Sequence, residues 1–197
     1  MEKLHISVFM TEWFISFGSW FYLLAEMIGM WRFWPWAYRK GPKVFEETIL
    51  PPLRQPLLQT IDLQAVKARM ISPDEALFRA PAPIFGFRIH TPFPIKGILL
   101  WSAPTTTRMT GRLPIGSVMF LGAWLLGWST AGFFPKKDNF DPVSFVLFGW
   151  AITGVIVAIS IPLELHRIRK AKEALVAHLQ GLQQSVPTDL AAPRRGG

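Results

Sequence analysis

The chain has 197 residues, of which 50% are hydrophobic, 14% aromatic and 17% charged, and its formal net charge is +8. Soluble domains carry about 25% charged residues, so this composition argues against an ordinary soluble globular protein. The absence of cysteine excludes disulfides, thiolate metal sites and a cysteine nucleophile.

The first predicted element is a membrane-spanning helix over residues 6–30. A bilayer core about 30 Å thick requires roughly 20 apolar residues in a helix, and the only charged residues of this largely apolar segment are Glu12 and Glu26. Because successive helical residues are turned by about 100°, both carboxylates fall on one stripe with Ser16 and Ser19. We expect this polar stripe to face protein rather than lipid.

A carboxylate inside a membrane span is costly and by default indicates a functional site. Two interpretations of Glu12 and Glu26 stay open: a proton or cation path along the first helix, or hydrogen-bonded groups near the two headgroup boundaries. Their fourteen-residue separation corresponds to about 21 Å along a helix axis. Direct proton transfer over that distance is excluded, so the second interpretation is favoured.

The segment WRFWPWAYRK at 31–40 combines aromatic and basic residues around Pro35. Tryptophan and tyrosine concentrate at headgroup boundaries, where arginine and lysine extend their charges towards water. This position favours a membrane anchor over a stacking platform for nucleic acid. The predicted interfacial anchors are Trp31, Arg32, Trp34, Trp36, Tyr38, Arg39 and Lys40.

Residues 35–112 contain eleven of the seventeen prolines. Proline interrupts helices and cannot donate to a sheet ladder, so we expect a mostly irregular loop lying over a surface. Short helices are predicted at 57–70 and after Ser72, where Ser-Pro-Asp-Glu is typical of a helix start. The apolar segment 84–101 is interrupted by two prolines and two basic residues. It is predicted to lie in the membrane interface or against a partner.

A transmembrane hairpin is predicted from two long uncharged segments, 113–134 and 143–163. Small residues at four-residue spacing let membrane helices approach closely. The predicted helix-packing residues are Ala123, Gly127 and Ala131 in the first segment and Gly154 and Ala158 in the second.

The last span is predicted to continue as a basic amphipathic helix. Five apolar residues beyond 163 share one helical face, namely Leu165, Ile168, Leu175, Leu179 and Leu182. Four basic residues lie just beyond the membrane, namely Arg167, Arg169, Lys170 and Lys172. This pattern favours a helix that rests on anionic lipid or packs on another subunit.

These segments together predict an all-α integral membrane protein with three transmembrane helices. Its parts are the N-terminus and first span (1–34), a Pro-rich loop (35–112), the hairpin (113–163), and the amphipathic helix with a mobile tail (164–197). Residues 31–112 carry twelve basic residues and the tail six, against three on the opposite side. The positive-inside rule therefore places loop and C-terminus in the cytoplasm and the N-terminus outside, which is the periplasm in a bacterium.

Reactive constellations are sparse in this sequence. The histidines His5, His90, His166 and His178 lie outside the apolar centres, and no metal-binding or nucleophile motif occurs. Glu164 and His166 are two residues apart, a spacing that points helical side chains away from each other. We therefore expect no catalytic residues and no metal, and the sequence requires no cofactor. Contacts with lipid, quinone or pigment stay open.

The predicted function is that of a non-catalytic structural or accessory subunit of a larger membrane complex, with a photosynthetic or respiratory assembly as a candidate home. The expected partners are other membrane subunits and anionic lipid, and not nucleic acid. One alternative is a small transporter or ion-conducting component that uses Glu12 and Glu26. A lipid-modifying enzyme with a site around Arg88 and His90 ranks lower, because no acid–base pair or nucleophile accompanies them.

Overall fold

The structure is a computed structural model that describes residues 2–49, 60–81, 93–101, 106–130 and 141–184. The predicted mobile tail (185–197) therefore lies outside the described residues. In chain order the elements are α1 (Glu2–Trp31), α2 (Pro35–Arg39), β1 (Lys43–Ile49), β2 (Thr60–Asp62), β3 (Lys67–Ser72), β4 (Glu75–Arg79), β5 (Lys96–Trp101), β6 (Thr107–Arg112), α3 (Ile115–Thr130) and α4 (Pro142–Gln184).

The region predicted to be an irregular loop forms a six-stranded antiparallel sheet. The predicted all-α fold with three transmembrane helices is therefore wrong. The strand order is β1-β6-β5-β4-β3-β2. Strands β2 to β6 form a meander of neighbouring antiparallel pairs, and β1 returns to pair with β6.

The prolines do not prevent this sheet, because the described ones lie outside its strands. Pro42 and Pro94 precede β1 and β5, Pro81 follows β4, and Pro73 lies in the two-residue turn between β3 and β4. Proline fixes φ near −65°, which suits a β-turn as well as the first turn of a helix. The helix predicted after Ser72 is therefore wrong.

Two other predictions for this region are also overturned where the structure describes it. The segment predicted as a helix at 57–70 contains β2 and the start of β3. The segment 84–101, predicted to lie in the membrane interface or against a partner, ends in β5, which is buried over most of its length within the chain's own sheet. Neighbouring strands and helix α4 supply the hydrogen bonds and apolar cover that a membrane surface was expected to supply.

The sheet has a helical layer on each face. One face packs against the second half of α4 in a core that includes Phe78, Leu99, Met109, Leu175 and Leu179. The opposite face packs against the end of α1 and the short helix α2 through Met30, Ala37, Tyr38, Leu77 and Ile98. The sheet is thus enclosed between two helical layers contributed by distant parts of the chain.

Two described helices are long and apolar enough to cross a membrane, α1 over Met10–Trp31 and α4 over Pro142–Leu182. Helix α3 is a shorter apolar helix of 16 residues. It runs antiparallel to α1, because Gly116 near its start contacts Glu26 and Thr130 at its end contacts Glu12. Length and composition of two helices are weak support for membrane association, and to that extent alone the membrane prediction is confirmed.

Helix α4 has two halves with different surroundings. It is continuous over 43 residues, with Pro162 inside it, which corresponds to a length of about 65 Å. The first half exposes apolar side chains such as Leu147 and Ile159. The second half buries Ile168, Ala171, Leu175 and Leu179 against the sheet. Its apolar face therefore meets the chain's own sheet, and not lipid or another subunit as predicted.

This contrast predicts that replacing a leucine with alanine has different effects on stability in the two halves of α4. We expect Leu175→Ala to lower the free energy of unfolding by about 2–5 kcal/mol, because a fully buried leucine leaves a cavity. Leu147→Ala, at a position 64% exposed, should change it far less in detergent. Urea unfolding of the full chain in detergent measures both. Equal losses would contradict the packing of α4 on the sheet.

Candidate functional site

A buried ion pair joins the apolar helices to the sheet. Glu26 of α1 is fully buried, and its Oε1 and Oε2 accept hydrogen bonds from the backbone amides of Ile115 at 3.1 Å and Gly116 at 2.5 Å. These are the first amides of α3, which have no partner within their own helix. A carboxylate also suits the positive end of the helix dipole. Glu26 therefore caps α3.

Lys96, the first residue of β5, is the charged partner of Glu26. Its ammonium donates to Glu26 Oε1 and to the backbone carbonyl oxygen of Ala37 in α2, and both charged side chains are fully buried. Burial lowers the pKa of Lys96, and the bond to Glu26 opposes that shift. We call Glu26 and Lys96 the junction pair, because α1, α2, β5 and α3 all meet there.

The turn between α1 and α2 closes over the junction pair. Phe33 adopts a left-handed backbone conformation (φ 56°), which non-glycine residues rarely adopt. This lets the chain reverse so that Tyr38 returns to the core and donates its hydroxyl to the carbonyl oxygen of Met30 at 2.9 Å. The rings of Phe33 and Tyr38 stack with centroids 5.9 Å apart. The turn is thus held by both a hydrogen bond and ring packing.

The sheet register brings five basic residues into one row across five neighbouring strands. Each is the terminal residue of its strand, and the directly paired neighbours are Lys67 with Arg79, Arg79 with Lys96, Lys96 with Arg112, and Arg112 with Lys43. Directly paired residues point to the same face, and like charges opposite each other destabilise a sheet. We call these five residues the basic row.

Carboxylates neutralise only part of the basic row. Lys67 pairs with Asp62 at 2.8 Å, Lys43 pairs with Glu46 at 2.8 Å, and Lys96 belongs to the junction pair. Arg79 and Arg112 form no ion pair with any described residue. The Nε atom of each is buried without a hydrogen-bond partner in the described part of the chain. The row therefore carries positive charge in excess.

The two unpaired arginines are nevertheless held in place. Arg112 donates through Nη1 to the carbonyl oxygen of Gly41 at 2.8 Å. The guanidinium of Arg79 lies 5.3 Å from the centroid of the Phe33 ring, and burial lowers the pKa of Arg79. Both guanidinium groups are positioned by the segment that leads from α1 into β1.

The basic row lies at the end of the sheet nearest the apolar helices. Strand β6 ends at Arg112 and passes through Leu113 and Pro114 directly into α3. The amide of Leu113 donates to the carbonyl oxygen of Pro42 at 3.0 Å, which holds the start of β1 at the same level. The row and the junction pair therefore mark the boundary between sheet and helices.

The predicted interfacial anchors divide into exposed and buried groups. Trp31, Trp34 and Trp36 are exposed, and so are Arg32 and Lys40. The guanidinium of Arg32 lies 5.9 Å from the Trp34 ring centroid, a cation–π contact. These five residues form an aromatic and basic surface around the end of α1.

Two predicted anchors have other roles. Tyr38 is fully buried, because the reversal at Phe33 turns it into the core, so its predicted position at a membrane surface is corrected. Arg39 forms an ion pair with Glu75 of β4 at 2.6 Å, and this partner raises the pKa of Arg39. Both residues attach α2 to neighbouring elements.

The polar stripe of α1 lies on the side that meets α3. Glu12 accepts a hydrogen bond from the hydroxyl of Thr130 at 2.5 Å. Ser19 is buried and donates to the carbonyl oxygen of Ser16 at 2.8 Å. Both oxygens of Glu26 are occupied by its cap and by Lys96. This arrangement favours packing and capping over a conducting path.

The predicted helix-packing residues have unequal surroundings. Ala123 is buried, and a Cβ on Gly127 would come 2.8 Å from Glu12 Oε1. Gly154 and Ala158 are exposed, and Ala131 lies outside the described residues.

The tightest glycine contact between α3 and α4 is one that the sequence did not indicate. A Cβ on Gly149 would overlap the indole ring of Trp128. The spacing of small residues does not indicate this contact, because the indole ring of Trp128, and not a second small residue, packs against Gly149.

The structure brings together no catalytic or metal-binding group from the residues considered for such roles in the sequence, within the part of the chain that it describes. Arg88 and His90 lie outside the described residues. Glu164 bonds Arg167 at 2.5 Å, while His166 is exposed. Within the described ranges, no three histidine or acidic side chains are grouped as they would be to hold a metal ion.

Comparison of the chain with protein-family models, with curated proteins and with solved structures finds no match.

Proposed function

We propose that this protein is a non-catalytic structural subunit that is anchored in a membrane by α1 and the first half of α4. The observation that carries this proposal is the exposure of large apolar side chains along both helices. On α1 these include Trp13, Phe14, Phe17, Trp20 and Phe21, and on α4 Val143, Leu147, Phe148, Val155 and Ile159. Soluble proteins rarely expose contiguous apolar patches of more than a few hundred Å².

The proposed orientation places the sheet on the cytoplasmic side and the start of α1 outside. The basic row and the cluster after Leu163 both lie on the sheet side of the apolar helices. The positive-inside rule assigns such residues to the cytoplasm. The tryptophans at the end of α1 would then lie at headgroup level, where indole rings concentrate.

The role as a subunit draws support from the ring-rich outer surface and from the junction pair. Phe14 is 73% exposed and Phe21 is 65% exposed, so α1 offers aromatic surface that α3 does not cover. The junction pair attaches the sheet to the apolar helices. This rigid attachment suits a subunit that positions neighbouring subunits at a fixed distance from the membrane. Lipid and partner helices are the expected occupants of the exposed surface.

Alkaline carbonate extraction tests the anchoring. We expect the full chain to stay in the membrane pellet at high pH, because its attachment is apolar, and to enter solution only with detergent. Release by carbonate alone would contradict the anchor. A protein held to the membrane only by its basic residues would be released at this pH, so retention in the pellet distinguishes apolar anchoring from attraction to anionic lipid.

Purification in a mild detergent tests the subunit role separately. We expect co-elution with larger membrane proteins at a fixed ratio on a native gel. A monodisperse species of 22.4 kDa that remains alone in several mild detergents would count against the subunit role while leaving the anchor intact.

A further inference from the structure

We propose that the basic row binds the phosphate group of an anionic lipid headgroup, with Arg79 and Arg112 as the residues that contact it. The lipid source rests on the proposed membrane location. The chemistry that recognises phosphate rests on the sheet register and on the unpaired arginines alone.

The first argument is charge. The row places like charges side by side on five strands, and three carboxylates (Asp62, Glu26 and Glu46) serve its three lysines. Glu46 also lies 3.3 Å from Arg108, so it is shared between two cations. Neither Arg79 nor Arg112 receives a carboxylate of its own among the described residues. A bound phosphate would supply the missing negative charge.

The second argument is the type of residue. Arginine presents a planar fork of donors that matches phosphate oxygens, and its charge is retained at any physiological pH. Each unpaired arginine retains a buried Nε without a partner in the described chain. Contacts to Gly41 and Phe33 already hold the two guanidinium groups. Less conformational freedom would therefore be lost when an anion binds.

The third argument is position. Strand spacing places the Cα atoms of Arg79 and Arg112 about 10 Å apart, on either side of Lys96, a separation that two long arginine side chains can bridge to one phosphate. The row ends where α3 begins, beside the exposed tryptophans of α1. In the proposed orientation this is the level of lipid phosphates, and anionic lipids are abundant in a cytoplasmic leaflet.

The test uses the full chain, purified in a neutral maltoside detergent. Binding of dihexanoyl phosphatidic acid, dihexanoyl phosphatidylcholine and inorganic phosphate is measured by thermophoresis. We expect phosphatidic acid to bind saturably and at least fivefold more tightly than phosphatidylcholine. Arg79→Gln and Arg112→Gln should each weaken it at least fivefold. Arg69→Gln is the matched control, because Arg69 is exposed and lies two residues from the row on β3.

Each outcome separates the sources of phosphate. If inorganic phosphate binds as tightly as phosphatidic acid with the same dependence on Arg79 and Arg112, the row binds phosphate and the lipid is not its specific source. Equal affinity for the two lipids, or equal loss in Arg69→Gln, would overturn the proposal. Where a glutamine variant fails to fold, Arg79→Lys or Arg112→Lys keeps the charge and removes the fork, and an undiminished affinity there would also overturn it.

The anchor is judged by a different measurement. Carbonate extraction of the same variants should leave all of them in the membrane pellet, because the apolar helices are unchanged. A loss of phosphate binding with retained anchoring, and a loss of anchoring with retained binding, are therefore distinguishable.

Discussion

Replacing Lys96 with methionine is expected to lower the free energy of unfolding by about 3–5 kcal/mol, because it leaves the fully buried Glu26 without its charged partner. Glu26 would keep its two hydrogen bonds from the start of α3. Those bonds offset only part of the cost of burying a carboxylate. Urea unfolding in detergent, followed by tryptophan fluorescence, measures the change.

A double-mutant cycle isolates the contribution of the junction pair. Glu26→Gln leaves the ammonium of Lys96 buried and should cost a similar amount. The double variant Glu26→Gln with Lys96→Met contains no buried charge at this position and should be more stable than either single variant. Lys67→Met is the matched control, since its exposed pair with Asp62 should contribute only about 0–1 kcal/mol. Additive losses in the cycle would contradict the pairing.

Replacing Gly116 with alanine is expected to destabilise the contact between α1 and α3 by about 1–3 kcal/mol. An added Cβ would lie 2.7 Å from the Cα of Leu23 and 2.9 Å from Glu26 Oε2. The first of these atoms is backbone and cannot move without shifting the helix. The same substitution would also disturb the cap that Glu26 provides.

Gly122 offers the matched control on the same helix. A Cβ there meets nothing within 4 Å, and alanine is favoured over glycine inside a helix by about 1 kcal/mol. Gly122→Ala should therefore leave the unfolding free energy unchanged or raise it. Similar effects of the two substitutions, measured by thermal unfolding in detergent, would show that α3 does not approach α1 at Gly116.

The apolar helices could be predicted from the sequence, whereas the sheet could not. Long uncharged segments indicate helices because only a helix satisfies its own backbone over such lengths. The strands are three to seven residues long, and the turn at Pro73 has the residues of a helix start. Local pattern was therefore ambiguous, and pairing between distant strands decided the structure.

Only one member of the junction pair, Glu26, could be identified from the sequence. Glu26 could be identified as a carboxylate on the polar stripe of an apolar helix, because helical periodicity is local. Its partner Lys96 lies 70 residues away in sequence, and in the sequence alone its charge only interrupts the apolar segment 84–101. The five residues of the basic row are brought side by side only by the register of five paired strands. No spacing rule along the chain could have assembled it.

The cap on α3 has a consequence for the order of synthesis. The backbone amide of Gly116, which donates to Glu26, lies 90 residues further along the chain. Ribosomes add about 5–20 residues per second. For several seconds α1 must therefore exist as a lone apolar helix with a carboxylate that has neither its lysine nor its cap. Whatever receives the nascent chain has to accommodate that charge until the start of α3 reaches a helix made long before it, and α4 is synthesised later still.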